Sequence, residues 1–402
     1  MDTRSPRLHF LPGALVAAVL ACTAAPDPAA AQAPEGTYHQ IHSFVPPEGV
    51  KPRGTPLVLP DGGIVGTASE SDSPDHVGTL YLLKPGSHSL KVLHAFGDGS
   101  NDGLYPVAGV IADRQGDLWG TTYGGGEYGR GTIFRISGKH YAVVHMFGQD
   151  PGDGSYPATA LTLGDDGLLY GTTLEGGSSD RGTVFRLNAD GSATTLWNFA
   201  PGGPRNPNGR LLQASDGLLY GTTTVNFDDG EDLGTIYALA PDGSQQRIVH
   251  RFSEADGWDS LSGVIEGSDG RLYGTTWLGG ANETGGVVYR VDRDGSDYVV
   301  LHSFQGGSEG KVSRSELVET RPGVFFGMTE LGGKAGRGTV FRMLASGELT
   351  VIHSFTGQPR HGGAPDGIEP AGALVPVGDD MLIGVTEFGG VYQGTIFKLR
   401  AR

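Results

Sequence analysis

Four sets of residues in this sequence are of types that could do chemistry. The first is Gly-Thr followed by a glycine pair, as in LLYGTTLEGGSSDRGTVFRL from Leu168 to Leu187. Such glycines cradle a phosphate when they link a strand to a helix N-terminus and a Lys precedes Ser or Thr. Here they join two strand-like runs and no Gly-Lys-Ser/Thr follows, so neither a nucleotide site nor any other cofactor is expected. The second set is His42, His94, His145, His250, His302 and His353, each two residues before a Phe. A metal needs ligands converging at about 2 Å. These histidines recur once per repeat, and Trp197 stands where a seventh would be. They read as structural partners of the Phe, and no metal site is expected. The third is Asp228-Asp229-Gly230-Glu231-Asp232, which has carboxylates for calcium without the spacing of a calcium loop, and reads as a solvated turn.

The fourth set mixes aromatic and ionisable side chains in loops. Tyr123, Tyr128, Phe227, Trp258, Trp277 and Tyr392, with Glu330, Glu387, Arg360 and His361, are the candidate ligand-binding residues, and Tyr105 and Tyr156 belong to the same group of loops. Aromatic faces stack on the C–H patches of sugar rings while carboxylates and amides take the hydroxyls. The pattern points to a carbohydrate or another extracellular ligand. Three alternatives stay open. A polysaccharide lyase would use Tyr or His as base and Arg or Lys to neutralise a substrate carboxylate. A glycosidase would need a carboxylate pair such as Glu330 and Glu387 at a working separation. A surface scaffold would bind another protein on the same face. No catalytic residue is assigned.

The elements that must position these residues are repeats. The Gly-Thr landmark recurs at Gly66, Gly120, Gly171, Gly221, Gly274, Gly327 and Gly384, with Met or Val for the first Thr in the last two. Gly-Thr-Val-Phe and its variants begin at Gly78, Gly131, Gly182, Gly234, Gly286, Gly338 and Gly394. The His-x-Phe landmark ends at Phe44, Phe96, Phe147, Phe199, Phe252, Phe304 and Phe355, with spacings of 52, 51, 52, 53, 52 and 51 residues. That period suits a four-stranded propeller blade. In the third copy, strand A is expected at Ala158 to Leu163, B at Leu168 to Thr173, C at Thr183 to Leu187 and D at Thr194 to Phe199, with Gly171 leaving a gap on one face of B. The first landmark is a lone strand D, Tyr38 to Phe44, and the last copy stops after strand C. The N-terminal strand is therefore expected to complete the last blade and remove two sheet edges. The fold is read as all-β, a seven-bladed β-propeller of four antiparallel strands per blade. Because strands alternate in direction, the loops entering A and those joining B to C share one face. These are the loops that vary, so function is expected there, around the central channel.

On LYGTT-x-x-GG, GTVF and HSF, the chain resembles the bacterial GloVer tandem-repeat family, named for Gloeobacter and Verrucomicrobia, over residues 38–399. The resemblance implies an exported protein whose repeats often precede a C-terminal sorting or anchoring signal. The chain ends right after its last strand, so any anchor is expected at the other end. The resemblance brings no catalytic residue.

Composition agrees with short strands and tight turns, for Gly counts 69 of 402 residues and charged residues only 18%. A net charge of −16 argues against nucleic acid or an anionic membrane as partner. Arg4 and Arg7, the apolar run Leu11 to Ala21 and small residues ending at Ala31 read as an export signal, residues 1–31, ahead of one propeller domain, residues 32–402. Lipidation at Cys22 is the rival processing route, and as Cys22 is the only cysteine no disulfide is available. No later apolar run reaches membrane-spanning length. An extracellular, periplasmic or cell-surface location and a monomer are expected.

Overall fold

The computed structural model describes residues 37–71, 77–150, 152–225, 232–281, 284–359, 365–391 and 393–401. The leader with Cys22, the acidic stretch from Asp228 to Glu231, and Phe227, Arg360, His361 and Tyr392 lie outside them. Among the described residues there is no helix, and therefore none long and apolar enough to cross a membrane.

Seven antiparallel sheets form the ring of a seven-bladed propeller. In blade 3 the order is Thr162–Leu163 (A), Leu169–Thr173 (B), Thr183–Leu187 (C) and Ala193–Asn198 (D). Strand A is shorter than expected from Ala158. Tyr156 has a left-handed φ of 60° and Pro157 has no N–H, so the ladder breaks there. The chain before the break, Gly154–Ser155, pairs separately with Glu175–Gly176.

The ring closes as the two chain ends predict. Tyr38–Ser43 lies antiparallel to Thr395–Arg400, with Tyr38 opposite Leu399 and Ser43 opposite Thr395. The finished blade 7 reads Tyr38–Ser43, Thr395–Arg400, Met381–Gly389, Gly367–Val377 from rim to axis. Each of seven apolar clusters spans one boundary between neighbouring blades. The closing cluster joins Phe44, Ile383, Val385 and Ile396 to Ile64, Tyr81 and Leu83 of blade 1.

The repeated residues explain this packing. Each landmark glycine on strand B lies opposite the aromatic residue of strand C: Gly66 and Tyr81, Gly171 and Phe185, Gly327 and Phe341. A Cβ at Gly171 would stand 2.5 Å from Phe185 Cζ, so the ring occupies the space that glycine leaves. The threonines are cross-ties. Thr173 and Thr183 share a hydrogen bond at 2.8 Å, as do Thr329 and Thr339. Thr67 Oγ1 donates to Ala108 O, and Thr222 Oγ1 to Ser262 O, each in the next blade. Each of the six histidines packs edge-on against its Phe and reaches an acid in the following loop, as His94 Nε2 does to Asp102 at 2.9 Å. Burial raises the Asp102 carboxyl, but hydrogen bonds from His94 and Tyr141 outweigh it and hold it below the usual range.

Candidate functional site

Among the described residues, ten non-glycine residues have left-handed backbone, and seven of them recur at one position, just before strand A turns inward: Lys51, Tyr105, Tyr156, Asn206, Asp259, Val312 and Glu369. Such a conformation costs on the order of 1–3 kcal/mol for ordinary side chains, most for a β-branched one like Val312. It persists because each of these inlet residues links two blades. Its N–H donates to the residue ahead of the Gly-Thr-Val-Phe landmark in the previous blade, as in Tyr156 to Arg130 O at 2.8 Å and Glu369 to Arg337 O at 3.0 Å. Lys51 makes the same bond to Gln393 O at 3.1 Å, across the closure of the ring.

A second repeated position follows the landmark threonines at the end of strand B. Its occupants, the outlet residues, are Ser69, Tyr123, Leu174, Thr224, Trp277, Glu330 and Glu387. Their N–H groups bond the inlet carbonyls of the same blade, as in Tyr123 to Tyr105 O at 3.0 Å and Trp277 to Asp259 O at 3.0 Å. Backbone geometry thus repeats two varied positions in every blade on the face of the varied loops, where Tyr105, Tyr123, Tyr156, Trp277, Glu330, Glu369 and Glu387 are partly exposed and Ser69, Thr224, Asp259 and Val312 are buried. Deeper in, Arg210 of blade 4 meets Glu316 of blade 6 at 3.1 Å, over Gly263 of blade 5.

The mouth divides into two arcs. Blades 2 and 3 supply tyrosines, with Tyr123 stacked on Tyr156 at 5.1 Å between ring centres and Tyr105 beside Gly124. Blades 5, 6, 7 and 1 supply charge. Arg314 pairs with Glu330 at 2.8 Å and lies 5.4 Å over the Trp277 ring, and Arg53 pairs with Glu387 at 2.9 Å. Lys51 is held by Glu70 at 2.7 Å. Burial raises Glu330, and Glu387 adds to the rise against the pull of Arg314, Arg53 and the Trp277 indole N–H. Glu369 is raised by burial and by the charges of Glu330 and Glu387. Tyr123 is pushed up to about 12 by burial, Glu175 and Tyr156.

Asp259 is fully buried. Its Oδ1 accepts from Val225 N at 3.2 Å while Oδ2 has no hydrogen bond among the described residues, and burial pushes its carboxyl from the ordinary 3.8 to about 6. A raised carboxyl stabilises the fold below its unfolded value and loses that contribution as pH rises through about 6. Asp259→Asn keeps the acceptor and tolerates the left-handed backbone. It is expected to stabilise the protein at neutral pH, by about 2–3 kcal/mol, and to have no effect below about pH 4. Thermal unfolding of both proteins across this range checks it, and an equal gain at every pH would assign the effect to something other than the charge.

Of the sequence candidates, Trp277, Glu330 and Glu387 come together in the charged arc, and Tyr123 lies in the aromatic one. Tyr128 is exposed on its loop. Trp258 packs on the core between blades 4 and 5 as a loop anchor. Sequence reasoning missed Arg53, Arg314, Asp259 and Glu369. Their signal is positional: the inlet residue precedes Pro or Ser in every copy, and each arginine lies two residues beyond it.

No curated protein matches the chain. Among solved structures, oligogalacturonate lyase from Vibrio parahaemolyticus is similar, with a TM-score of 0.58 at 12% identity over 91% of this chain and 93% of the lyase. An oligogalacturonate lyase in complex with manganese is similar with the same values, 0.58, 12%, 91% and 93%. The extracellular domain of a hybrid two-component system from B. thetaiotaomicron gives 0.60 at 10% identity, over 90% of this chain and 39% of that one. At such identities the likeness is one of fold alone. The repeat signature itself is matched over residues 31–232 and 212–402, and the chain belongs to the Gloeobacter/Verrucomicrobia repeat family.

Proposed function

We propose that this is an exported binding protein that holds an extracellular carbohydrate at the channel mouth. The observation that carries the reading is the repeated pair of inlet and outlet positions. Seven left-handed backbone turns share a φ between 52° and 64°, yet their side chains differ from blade to blade. Architecture alone would be served by one residue type used seven times. Variation on a fixed frame is the signature of recognition. Tyrosine faces on one arc and ionised, hydrogen-bonding groups on the next suit a sugar, which offers both C–H faces and hydroxyls. Export rests on the leader, residues 1–31.

Binding is favoured over lyase chemistry by two features. A tyrosine base needs a depressed pKa, whereas Tyr123 is pushed up to about 12. A lyase also needs a cation free to meet a substrate carboxylate, whereas in the charged arc of the described residues Arg53, Arg314 and Lys51 are engaged by Glu387, Glu330 and Glu70. The test is a glycan array on the mature protein, run beside an absorbance screen for unsaturated products from uronic-acid polymers. Array binding without product formation is expected. Product formation would establish the lyase instead, and silence in both would sink the carbohydrate reading.

A further inference from the structure

Resting on the reading of a carbohydrate site, we propose that Asp102 and Asp153 are positioning residues of that site, which tie Tyr105 and Tyr156 to the neighbouring blade. In six blades an acid stands three residues before the inlet residue: Glu48 before Lys51, Asp102 before Tyr105, Asp153 before Tyr156, Asp256 before Asp259, Glu309 before Val312 and Asp366 before Glu369. Each lies near a histidine on strand D of the preceding blade, from 2.6 Å at His302 and Glu309 to 3.8 Å at His353 and Asp366. Each also accepts the N–H of the residue after the landmark Phe, as Asp102 does from Gly97 at 2.9 Å and Asp153 from Gly148 at 3.0 Å. The spacing from histidine to acid varies, from 6 residues at His42 and Glu48 to 13 at His353 and Asp366, while the spacing from acid to inlet does not. A tie that only closed the loop could sit anywhere along it. In the remaining blade both partners are missing together: Trp197 stands for the histidine and Gly203 for the acid, three residues before Asn206.

In blades 2 and 3 the tie reaches tyrosines. The Asp102 carbonyl accepts from Gly126 N at 2.8 Å and the Asp153 carbonyl from Gly177 N at 2.7 Å, which holds each inlet loop against the loop that joins B to C. The next two residues then pair with that loop, Gly103–Leu104 with Gly124–Gly125 and Gly154–Ser155 with Glu175–Gly176. Both leading glycines lie on a landmark threonine, for a Cβ at Gly103 would run into Thr122 and one at Gly154 into Thr173. Tyr105 and Tyr156 follow at once, left-handed and partly exposed. With Asp153 fixed on one side and its own N–H bonded to Arg130 O at 2.8 Å, Tyr156 sets its ring against Tyr123, 5.1 Å between centres. Binding groups need such support, since they must be held to within about 0.5 Å. Asp259 and Val312, at the same position in blades 5 and 6, are buried, so the acids ahead of them hold no exposed side chain.

The test reads two quantities on the mature protein: the nuclear Overhauser contact between the Tyr123 and Tyr156 rings, with tyrosine labelled, and the affinity for the oligosaccharide bound most tightly on the glycan array. Asp153→Ala is expected to lose the ring contact and to bind at least about threefold more weakly, within the scale of a lost aromatic contact. Asp153→Asn keeps an acceptor and can still bond the imidazole, and is expected to restore both. Glu309→Ala cuts the same tie ahead of buried Val312, and is expected to lower the unfolding midpoint by a similar amount while keeping ring contact and affinity. Should Asp153→Ala be poorly folded by circular dichroism, His145→Leu is the second variant, with the same expectation, since it leaves the Gly148 bond to the carboxylate in place. Unchanged affinity in Asp153→Ala, an equal loss in Glu309→Ala, or no rescue by Asp153→Asn would overturn the inference and leave the carbohydrate reading standing. An array silent toward the wild-type protein would overturn both.

Discussion

Removing residues 37–44 is expected to leave a chain without a cooperative unfolding transition. The segment supplies the outer strand of blade 7 and is joined to the far end of the sequence only by non-covalent contacts. It carries the ladder from Tyr38–Leu399 to Ser43–Thr395, and Phe44 N donates to Gly394 O at 3.1 Å. It also carries fully buried Phe44 and the Tyr38 ring, which stacks on His353 at 4.3 Å. Loss of a buried Phe alone costs about 3–5 kcal/mol. The ladder and the opened edge of Thr395–Arg400 add to that, against a whole-domain stability of about 5–15 kcal/mol. Thermal circular dichroism with size-exclusion chromatography checks the outcome. An unchanged, cooperative transition in the truncated chain would show that ring closure contributes little. Phe44→Ala, a milder change, is expected to fold with a lower midpoint.

The second large effect concerns the landmark pair inside a blade. At Gly327 a Cβ would stand 2.5 Å from Phe341 Cζ and 2.9 Å from Leu317 Cδ2. Gly327→Val therefore drives a branched side chain into an occupied space, at a cost of about 1–3 kcal/mol or more. Phe341→Ala empties the same space and costs about 3–5 kcal/mol. Because each change removes the reason for the other's cost, the double variant is expected to be more stable than the sum of the two predicts, by at least about 1 kcal/mol. Urea unfolding of the four proteins measures this coupling. Additive costs would mean that the glycine is not there to admit the ring.

The same pair explains why so much of the ring was legible in the sequence. Gly on strand B and an aromatic on strand C sit in register in every blade, so their spacing reports the sheet directly. Strand A was harder. Tyr105, Tyr156 and Val312 are not residue types that mark left-handed backbone, so the break in strand A leaves no trace in a single copy. Only the seven copies laid over one another expose the inlet position. The acidic partners of the histidines were hidden differently: Glu48, Asp102 and Asp366 lie at unequal distances from His42, His94 and His353, because the loops between them vary. The mouth was least legible of all. Arg53 and Glu387 meet because the ring closes, and no local pattern joins residues at opposite ends of the chain.

Function is assigned to the mouth and masonry elsewhere, and the opposite face offers the natural contrast. There a cavity of about 310 Å³ lies among Asp113, Arg114, Trp119 and Asp166, on the side where the A to B turns are stitched to neighbouring blades. Trp119 is a plausible sugar platform, although Arg135 lies 5.3 Å over its ring and Asp113 takes its indole N–H at 2.8 Å. The most direct measurement is the affinity of the best array ligand for the wild-type protein, Tyr123→Ala and Trp119→Ala, each first shown to be folded. At least about a tenfold loss is expected for Tyr123→Ala and wild-type affinity for Trp119→Ala. Full affinity in Tyr123→Ala with loss in Trp119→Ala would contradict that assignment.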